Sequence, residues 1–131
     1  MTNPNRVLAS QIVTRICLLL FGAIAIFGGI LQMTLGEPET TPRLDNIHRF
    51  MAGVYLGTGF ICAWCAWTIR QQRALPYLIA VGGLLAAFGR MISMNVVGTP
   101  EPAGLWIGYL ASEIIVPAAM IISQRLTDRK S

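Results

Sequence analysis

The chain has 131 residues, of which 54% are hydrophobic and only 12% are charged, and its mean hydropathy is +0.60. Soluble globular domains carry about 25% charged residues, so this composition excludes an ordinary soluble domain and indicates a membrane protein. The net charge of +4 does not indicate nucleic-acid binding, because the ten basic residues flank apolar segments and do not form one patch.

Four apolar segments are long enough to cross a bilayer, since about 20 helical residues span about 30 Å of hydrocarbon. Residues 16–35 and 50–69 contain no charged residue, whereas 75–94 and 103–122 contain one each. The backbone must satisfy its own hydrogen bonds in lipid, so each segment is predicted to be an α-helix. We interpret the first as a retained helix, because its apolar core is longer than the roughly 7–15 residues of a secretory signal.

The connections between these segments are short and polar. They comprise residues 36–43, 70–74 and 95–103, and the first and third each contain two prolines. Connections of this length favour antiparallel, adjacent neighbours. We therefore predict an all-α integral membrane protein with a single domain over residues 1–131, folded as an antiparallel four-helix transmembrane bundle.

The basic residues are distributed unevenly between the two sides of this bundle. Seven lie on the side of the chain termini: Arg6, Arg15, Arg70, Arg73, Arg125, Arg129 and Lys130. Three lie on the opposite, outer side: Arg43, Arg49 and Arg90. Cytoplasmic loops carry the excess of Lys and Arg, so both termini are predicted to be cytoplasmic.

Two of the outer arginines are predicted to meet a buried glutamate. Arg49 directly precedes the second segment at its outer start, Arg90 lies about 7 Å inside the third, and Glu113 lies about 15 Å inside the fourth, at 1.5 Å per residue. A lone charge at mid-membrane costs about 2.5–3.5 kcal/mol on insertion scales. We therefore expect Arg49, Arg90 and Glu113 to form one cluster in the outer half of the bundle.

Small residues flank both arginines. Gly83, Ala86 and Ser93 share a helical face with Arg90, and Gly53 and Gly57 share one with Arg49, where Asn46 also lies nearby. Small residues allow helices to approach closely in lipid. Pro117 removes the N–H that would bind the carbonyl of Glu113. Either an arginine fork binds both this carbonyl and the carboxylate, or the proline is simply tolerated within the membrane helix.

The cluster has two interpretations. It is either a structural clamp that fixes the register of the helices or a ligand or ion site, since ionisable groups inside membranes commonly mark binding sites. Two cations facing one anion leave a surplus positive charge, which Asp45 relieves in part. This surplus favours an anionic guest, such as a lipid phosphate or a carboxylate.

Several short motifs occur in a specific order. They are Asn46-x-x-Arg49, GVYLGTG at 53–59, GRMIS at 89–93 and GTPEP at 98–102, with Glu113 in the last segment. With these the chain resembles family 4345 of domains of unknown function, small bacterial four-helix membrane proteins that are distantly similar to DoxX-type proteins. The resemblance covers nearly the whole chain and implies a four-helix fold and an inner-membrane location, but no activity. Its matching positions are Asn46, Arg49, Gly53, Gly57, Gly89, Arg90, Ser93, Gly98, Pro100 and Glu113.

Cysteine and histidine chemistry is less favoured. Cys62 and Cys65 form a CxxC motif, but reactive pairs lie at helix N-termini, where the dipole lowers the thiol pKa. This pair lies near the end of its segment on the predicted cytoplasmic side, which is reducing, so we expect buried structural thiols. His48 is the one histidine of the chain, so we predict an interfacial residue and no metal site.

Three functions are compatible with these residues. The first is a non-enzymatic accessory or interaction protein, associated with a larger membrane complex or with a second copy of itself. The second is a binder or carrier of a small anionic or amphipathic molecule, such as a lipid or quinone, at Arg49, Arg90 and Glu113. The third and weakest is a thiol–quinone oxidoreductase. Membrane lipids are expected partners, and no cofactor is required by the first hypothesis.

Overall fold

The structure is a computed structural model that describes residues 8–130. These residues form four α-helices, α1 (Ala9–Leu35), α2 (Pro42–Trp67), α3 (Leu75–Val96) and α4 (Ala103–Asp128), with one turn of 3-10 helix, Ile69–Gln71, between α2 and α3. Each α-helix is long and apolar enough to cross a membrane. The predicted all-α, four-helix class is confirmed; Arg6 lies outside the described residues.

All four helices extend beyond the predicted apolar segments: α1 and α2 begin seven and eight residues earlier, and α3 and α4 end two and six residues later. Local caps set the starts of α2 and α4. Thr41 precedes α2, and its hydroxyl accepts the N–H of Leu44 at 3.3 Å, while Pro42 occupies the first helical position. Before α4, the carboxylate of Glu101 accepts the N–H of Ala103 at 3.1 Å. Hydropathy therefore locates the part of each helix that can lie in lipid, whereas these caps define its first turn.

The helices are arranged in the order α2–α1–α4–α3. Helix α1 is central and packs against α2 on one side and α4 on the other, while α3 packs mainly against α4. Helices α2 and α3 make few contacts, so the prediction that all consecutive helices are packed neighbours is wrong for this pair. We call the end that carries residues 8 and 130 the terminal end. The end that carries the α1–α2 and α3–α4 connections is the loop end.

Glycines bring α1 and α2 into close contact. A Cβ atom added to Gly22 would lie 3.2 Å from the carbonyl oxygen of Gly59, and one added to Gly29 would lie 2.9 Å from that of Ala52. A Cβ atom on Gly59 would in turn lie 3.0 Å from the carbonyl oxygen of Gly22. The two backbones therefore touch at three positions where no larger side chain fits.

Hydroxyl groups join α1 to α4 near the terminal end. Ser10 Oγ lies 2.7 Å from Thr127 Oγ1, and Thr14 Oγ1 lies 2.8 Å from Ser123 Oγ. Thr14 and Ser123 are buried. Such interhelical hydrogen bonds contribute about 0.6 kcal/mol each in membrane bundles. They set the register of two antiparallel helices.

The core occupies the terminal half of the bundle. Its members come from all four helices and the 3-10 turn: Cys17, Leu18, Cys62, Cys65, Ala66, Ile69, Ile79, Ala80 and Met120. Beyond Ala87 in α3, and before Pro117 in α4, no described residue is fully buried. The bundle is thus closed at the terminal end, and α3 and α4 are open towards the loop end.

We predict opposite effects for two neighbouring glycines of α2. Gly59→Ala is expected to lower the free energy of unfolding by about 1–3 kcal/mol, as overpacking does, because its Cβ would meet the α1 backbone. Gly57→Ala is the matched control, since nothing lies within 4 Å of an added Cβ there. It should be neutral or stabilise the helix by up to about 1 kcal/mol. Equal thermal midpoints of the two variants in detergent would contradict this packing.

Candidate functional site

Arg90 of α3 and Glu113 of α4 form a two-pronged ion pair. The guanidinium donates from Nε to Oε2 at 3.0 Å and from Nη2 to Oε1 at 2.7 Å. The side chains are 23% and 18% exposed, respectively. A bidentate arginine–carboxylate pair combines two charge-assisted hydrogen bonds with a fixed orientation. The structure therefore brings together two of the three residues of the predicted cluster.

The antiparallel arrangement of α3 and α4 explains why these side chains meet. Arg90 lies six residues before the end of α3, and Glu113 lies ten residues after the start of α4. These positions are about 9 Å and 15 Å from the loop end at 1.5 Å per residue. Helical Cβ atoms tilt towards the N-terminus of their own helix. Arg90 consequently leans towards the terminal end and Glu113 towards the loop end, which closes the difference in depth.

Pro117 supports the pair by packing α4 against α3. It is buried, and a Cβ atom added to Gly83 would lie 2.8 Å from its Cγ and 2.9 Å from Cζ of Phe21. Gly83 thus permits α1, α3 and α4 to meet one helical turn from Glu113, on its terminal side. Pro117 also leaves the backbone carbonyl of Glu113 without its helical N–H partner, but Arg90 does not bind this carbonyl. Within residues 8–130, Arg90 donates only to the carboxylate of Glu113.

Two aromatic rings lie beside the guanidinium. Arg90 Cζ is 5.6 Å from the ring centroid of Trp106 and 5.9 Å from that of Tyr109. The rings are arranged edge to face, with centroids 5.9 Å apart. Cation–π contacts of this length contribute about 0.5–1 kcal/mol at exposed sites and more when desolvated. In the sequence, Trp106, Tyr109 and Glu113 are spaced at i, i+3 and i+7, which places them on one face of α4. This spacing is the sequence feature that could have predicted aromatic rings beside the ion pair.

A cleft of about 280 Å³ opens beside Arg90. Its lining residues come from α3, the following connection and α4: Ala86, Arg90, Ser93, Met94, Pro100 and Trp106. Two members, Ala86 and Ser93, belong to the small, polar face predicted around the arginine. The indole Nε1 of Trp106 is buried and has no hydrogen-bond partner within residues 8–130.

Arg49 has a different environment from the one predicted. Its Nε donates to Asp45 Oδ2 at 2.8 Å and its Nη1 donates to the carbonyl of Met33, near the end of α1. Its side chain is 45% exposed. Arg49 thereby binds one of the carbonyls left unpaired at a helix C-terminus. Helix α2 makes few contacts with α3 and fewer still with α4, which carries Glu113, and no ion pair joins Arg49 to Glu113 among the described residues.

The remaining residues predicted to support the cluster lie apart from it. Asn46 is exposed, and its side chain makes no hydrogen bond within residues 8–130. A Cβ atom added to Gly53 would meet Cε of Met33 at 3.8 Å, and Gly57 has nothing within 4 Å. These two glycines do not bring α2 close to another helix. That function belongs to Gly59, half a turn further along α2.

The thiols and the histidine are placed as follows. Cys62 and Cys65 are fully buried in the core, and Cys17 is 8% exposed. All three are free thiols. His48 is partly buried, and its Nδ1 has no hydrogen-bond partner in the described chain. No group of three or more His, Cys, Asp or Glu side chains within residues 8–130 has a metal-binding arrangement.

Comparison with protein families agrees with this architecture. A family profile described as a domain of unknown function, DUF4345, matches residues 11–124. The chain belongs to this family. The match includes Arg49, Arg90 and Glu113, and it confirms the family resemblance identified from the sequence motifs. No curated protein and no solved structure matches the chain.

We predict strong coupling between Arg90 and Glu113. Removing one partner of a buried ion pair typically costs about 3–5 kcal/mol, because the other charge is stranded. Arg90→Gln and Glu113→Gln should each lower the free energy of unfolding of the detergent-solubilised protein by about 3 kcal/mol, the lower end of this range, since both side chains are partly exposed. The double variant should recover much of the loss, with a coupling energy of at least about 1 kcal/mol.

Arg49→Gln is the control, because its exposed pair should contribute about 0–1 kcal/mol. Additive losses in the thermal unfolding of the double variant would contradict the pair.

Proposed function

We propose that this chain is a non-enzymatic membrane protein that binds the polar head of a small amphipathic molecule in the cleft beside Arg90. The observation that carries this proposal is a set of unpaired donors. Glu113 accepts from Nε and Nη2 of Arg90, and Nη1 has no acceptor within residues 8–130. The indole N–H of Trp106 also lacks one. An unpaired donor is costly in an apolar environment, so these groups favour a ligand that supplies acceptor oxygens.

The charge of the site favours a neutral head group. The earlier expectation of an anionic guest depended on two arginines facing one carboxylate. In the structure each arginine has its own partner, Asp45 for Arg49 and Glu113 for Arg90. The pair beside the cleft is therefore balanced. A carbonyl oxygen, as in a quinone or a lipid ester, matches two N–H donors without adding uncompensated charge.

The walls of the cleft favour an apolar or aromatic body on the same molecule. Trp106 and Met94 line the cleft, and Phe88 and Ile92, on α3 like Met94, are exposed apolar side chains. Binding sites for small molecules combine apolar walls with a few polar groups. The volume of about 280 Å³ is close to the lower limit of roughly 300 Å³ for ligand pockets. It suits a head group or ring, with a tail extending into lipid.

Retention of a small molecule tests this proposal. The protein is extracted in mild detergent, examined by native mass spectrometry, and titrated with a short-tailed ubiquinone analogue. Trp106→Phe keeps a ring but removes the N–H, and it should weaken retention about three- to ten-fold, as loss of one hydrogen bond does. Trp67→Phe is the matched control, since Trp67 is 81% exposed and lies at the terminal end. Equal retention by the two variants, or no retention by the wild-type protein, would refute the proposal.

An accessory or interaction protein is the second candidate. Gly104 and Gly108 have small-xxx-small spacing on α4, and nothing within the described chain lies within 4 Å of a Cβ added to either. This surface could pack against a helix of a larger complex or of a second copy. The same native spectra separate the two candidates. A stoichiometric protein partner that is released by Gly108→Leu, but not by the exposed control Gly82→Leu, would favour this second function.

A thiol–quinone oxidoreductase is the least supported alternative. Cys62 and Cys65 are fully buried, and they lie in the terminal half of the bundle, away from the cleft beside Arg90. A redox thiol must reach its oxidant as a thiolate, which favours an accessible site at a helix N-terminus. The positions of these cysteines do not meet that requirement. A mixed disulfide trapped at either cysteine would revive this alternative.

We further propose a location in the inner membrane of a bacterium with both termini in the cytoplasm. The support is the excess of basic residues at the terminal end, together with four helices suited to cross a membrane. A reporter fused to either terminus should then give a cytoplasmic signal. A periplasmic signal from the C-terminal fusion would reverse the orientation and show that the basic residues do not determine it.

A further inference from the structure

A second cleft, of about 430 Å³, lies at the terminal end of the bundle. It is lined by Arg73 and Ala74, just before α3, by Tyr77 in the first turn of α3, and by Asp128 at the end of α4. Its volume is within the roughly 300–1,000 Å³ range of ligand sites. Helices α3 and α4 thus enclose one cleft at each end of their interface.

Hydrogen bonds occupy the carboxylate of this cleft. Tyr77 donates from its hydroxyl to Asp128 Oδ2 at 2.7 Å, and Gln124 donates from Nε2 to Oδ1 at 3.3 Å. The guanidinium of Arg73 makes neither a hydrogen bond nor an ion pair within residues 8–130. The acidic group is therefore held by Tyr77 and Gln124, and the basic group is left to bind an external partner.

The surrounding charge is strongly positive. The described terminal end carries six basic residues and one acidic residue, Asp128. The basic ones are Arg15, Arg70, Arg73, Arg125, Arg129 and Lys130, and within residues 8–130 none forms an ion pair. The loop end, in contrast, carries three basic and five acidic residues. An anion would therefore be attracted to the terminal cleft and not to the cleft beside Arg90.

The position of the cleft matches the head-group region of a bilayer. Arg73 precedes the first residue of α3, and Asp128 is the last residue of α4, so both lie where these helices emerge from hydrocarbon. Leu78 and Leu126, one residue and two residues from the lining positions, are 65% and 45% exposed. An anion bound here would have apolar surface beside it for attached acyl chains.

We propose that the terminal cleft binds the phosphate of an anionic phospholipid, with Arg73 as its ion-pair partner and Tyr77 holding Asp128 in place. Basic pockets between membrane helices at the cytoplasmic surface are suited to such head groups. This site is independent of the proposed function, because it lies at the opposite end of the bundle and takes a charged ligand.

Lipid selectivity tests the proposal. The full chain is reconstituted in bilayers of equal phosphatidylglycerol and phosphatidylcholine, released into mild detergent, and examined by native mass spectrometry for bound lipid. The wild-type protein should retain phosphatidylglycerol in preference to phosphatidylcholine. Arg73→Gln should reduce this preference about five-fold, the contribution expected of one basic residue near an anionic membrane. Arg70→Gln is the matched control, as it lies in the same connection but does not line the cleft.

A second variant should change the preference in the opposite direction. Asp128→Asn keeps an oxygen that accepts the Tyr77 hydroxyl but removes the negative charge, so retention of phosphatidylglycerol should rise by a similar factor. Equal effects of Arg73→Gln and Arg70→Gln, or no lipid preference in the wild-type protein, would overturn the proposal. Displacement of the lipid by low concentrations of inorganic phosphate would also overturn it, because the site would then take a free anion.

Discussion

Close contact between the backbones of α1 and α2 is the constraint on which the other helix positions depend. Lipid provides no hydrophobic force between helices, so association requires close packing and interhelical hydrogen bonds. Gly22, Gly29 and Gly59 provide the first. On the other face of α1, Thr14 binds Ser123 of α4 and provides the second. With α1 packed against a helix on each side, α3 packs on α4, and α2 and α3 make few contacts.

This separation determines how the intramembrane charges are neutralised. A cluster from three helices would require α2 to pack against both α3 and α4, and it makes few contacts with either. Each arginine instead finds a carboxylate near it: Arg49 pairs with Asp45 on its own helix, and Arg90 with Glu113 on the adjacent helix. The first arginine caps α1, whereas the second sits beside a cleft and two aromatic rings. The two pairs therefore have different roles.

The parts of the fold that could be predicted are those encoded locally in the sequence. Uncharged segments of about 20 residues predict spans, and a lone Glu113 among apolar residues predicts a partner from a neighbouring helix, which Arg90 provides. Helix pairing could not be predicted in the same way. Gly53 and Gly57 look as suitable for a close contact as Gly59, but of these three only Gly59 lies against the backbone of α1. The rotation of α2 about its own axis decides which glycine meets α1, and that rotation depends on the packing of the whole bundle.

The two clefts at the α3–α4 interface differ in what binds the acidic residue beside each of them. At the loop end Glu113 binds Arg90 directly, so the cationic charge is cancelled and the remaining groups are N–H donors. At the terminal end Asp128 is bound by the neutral donors of Tyr77 and Gln124, so the charge of Arg73 is not cancelled. A neutral acceptor suits the first cleft and a phosphate the second. If both proposals hold, one helix pair binds an amphipathic molecule near one membrane surface and an anionic lipid near the other.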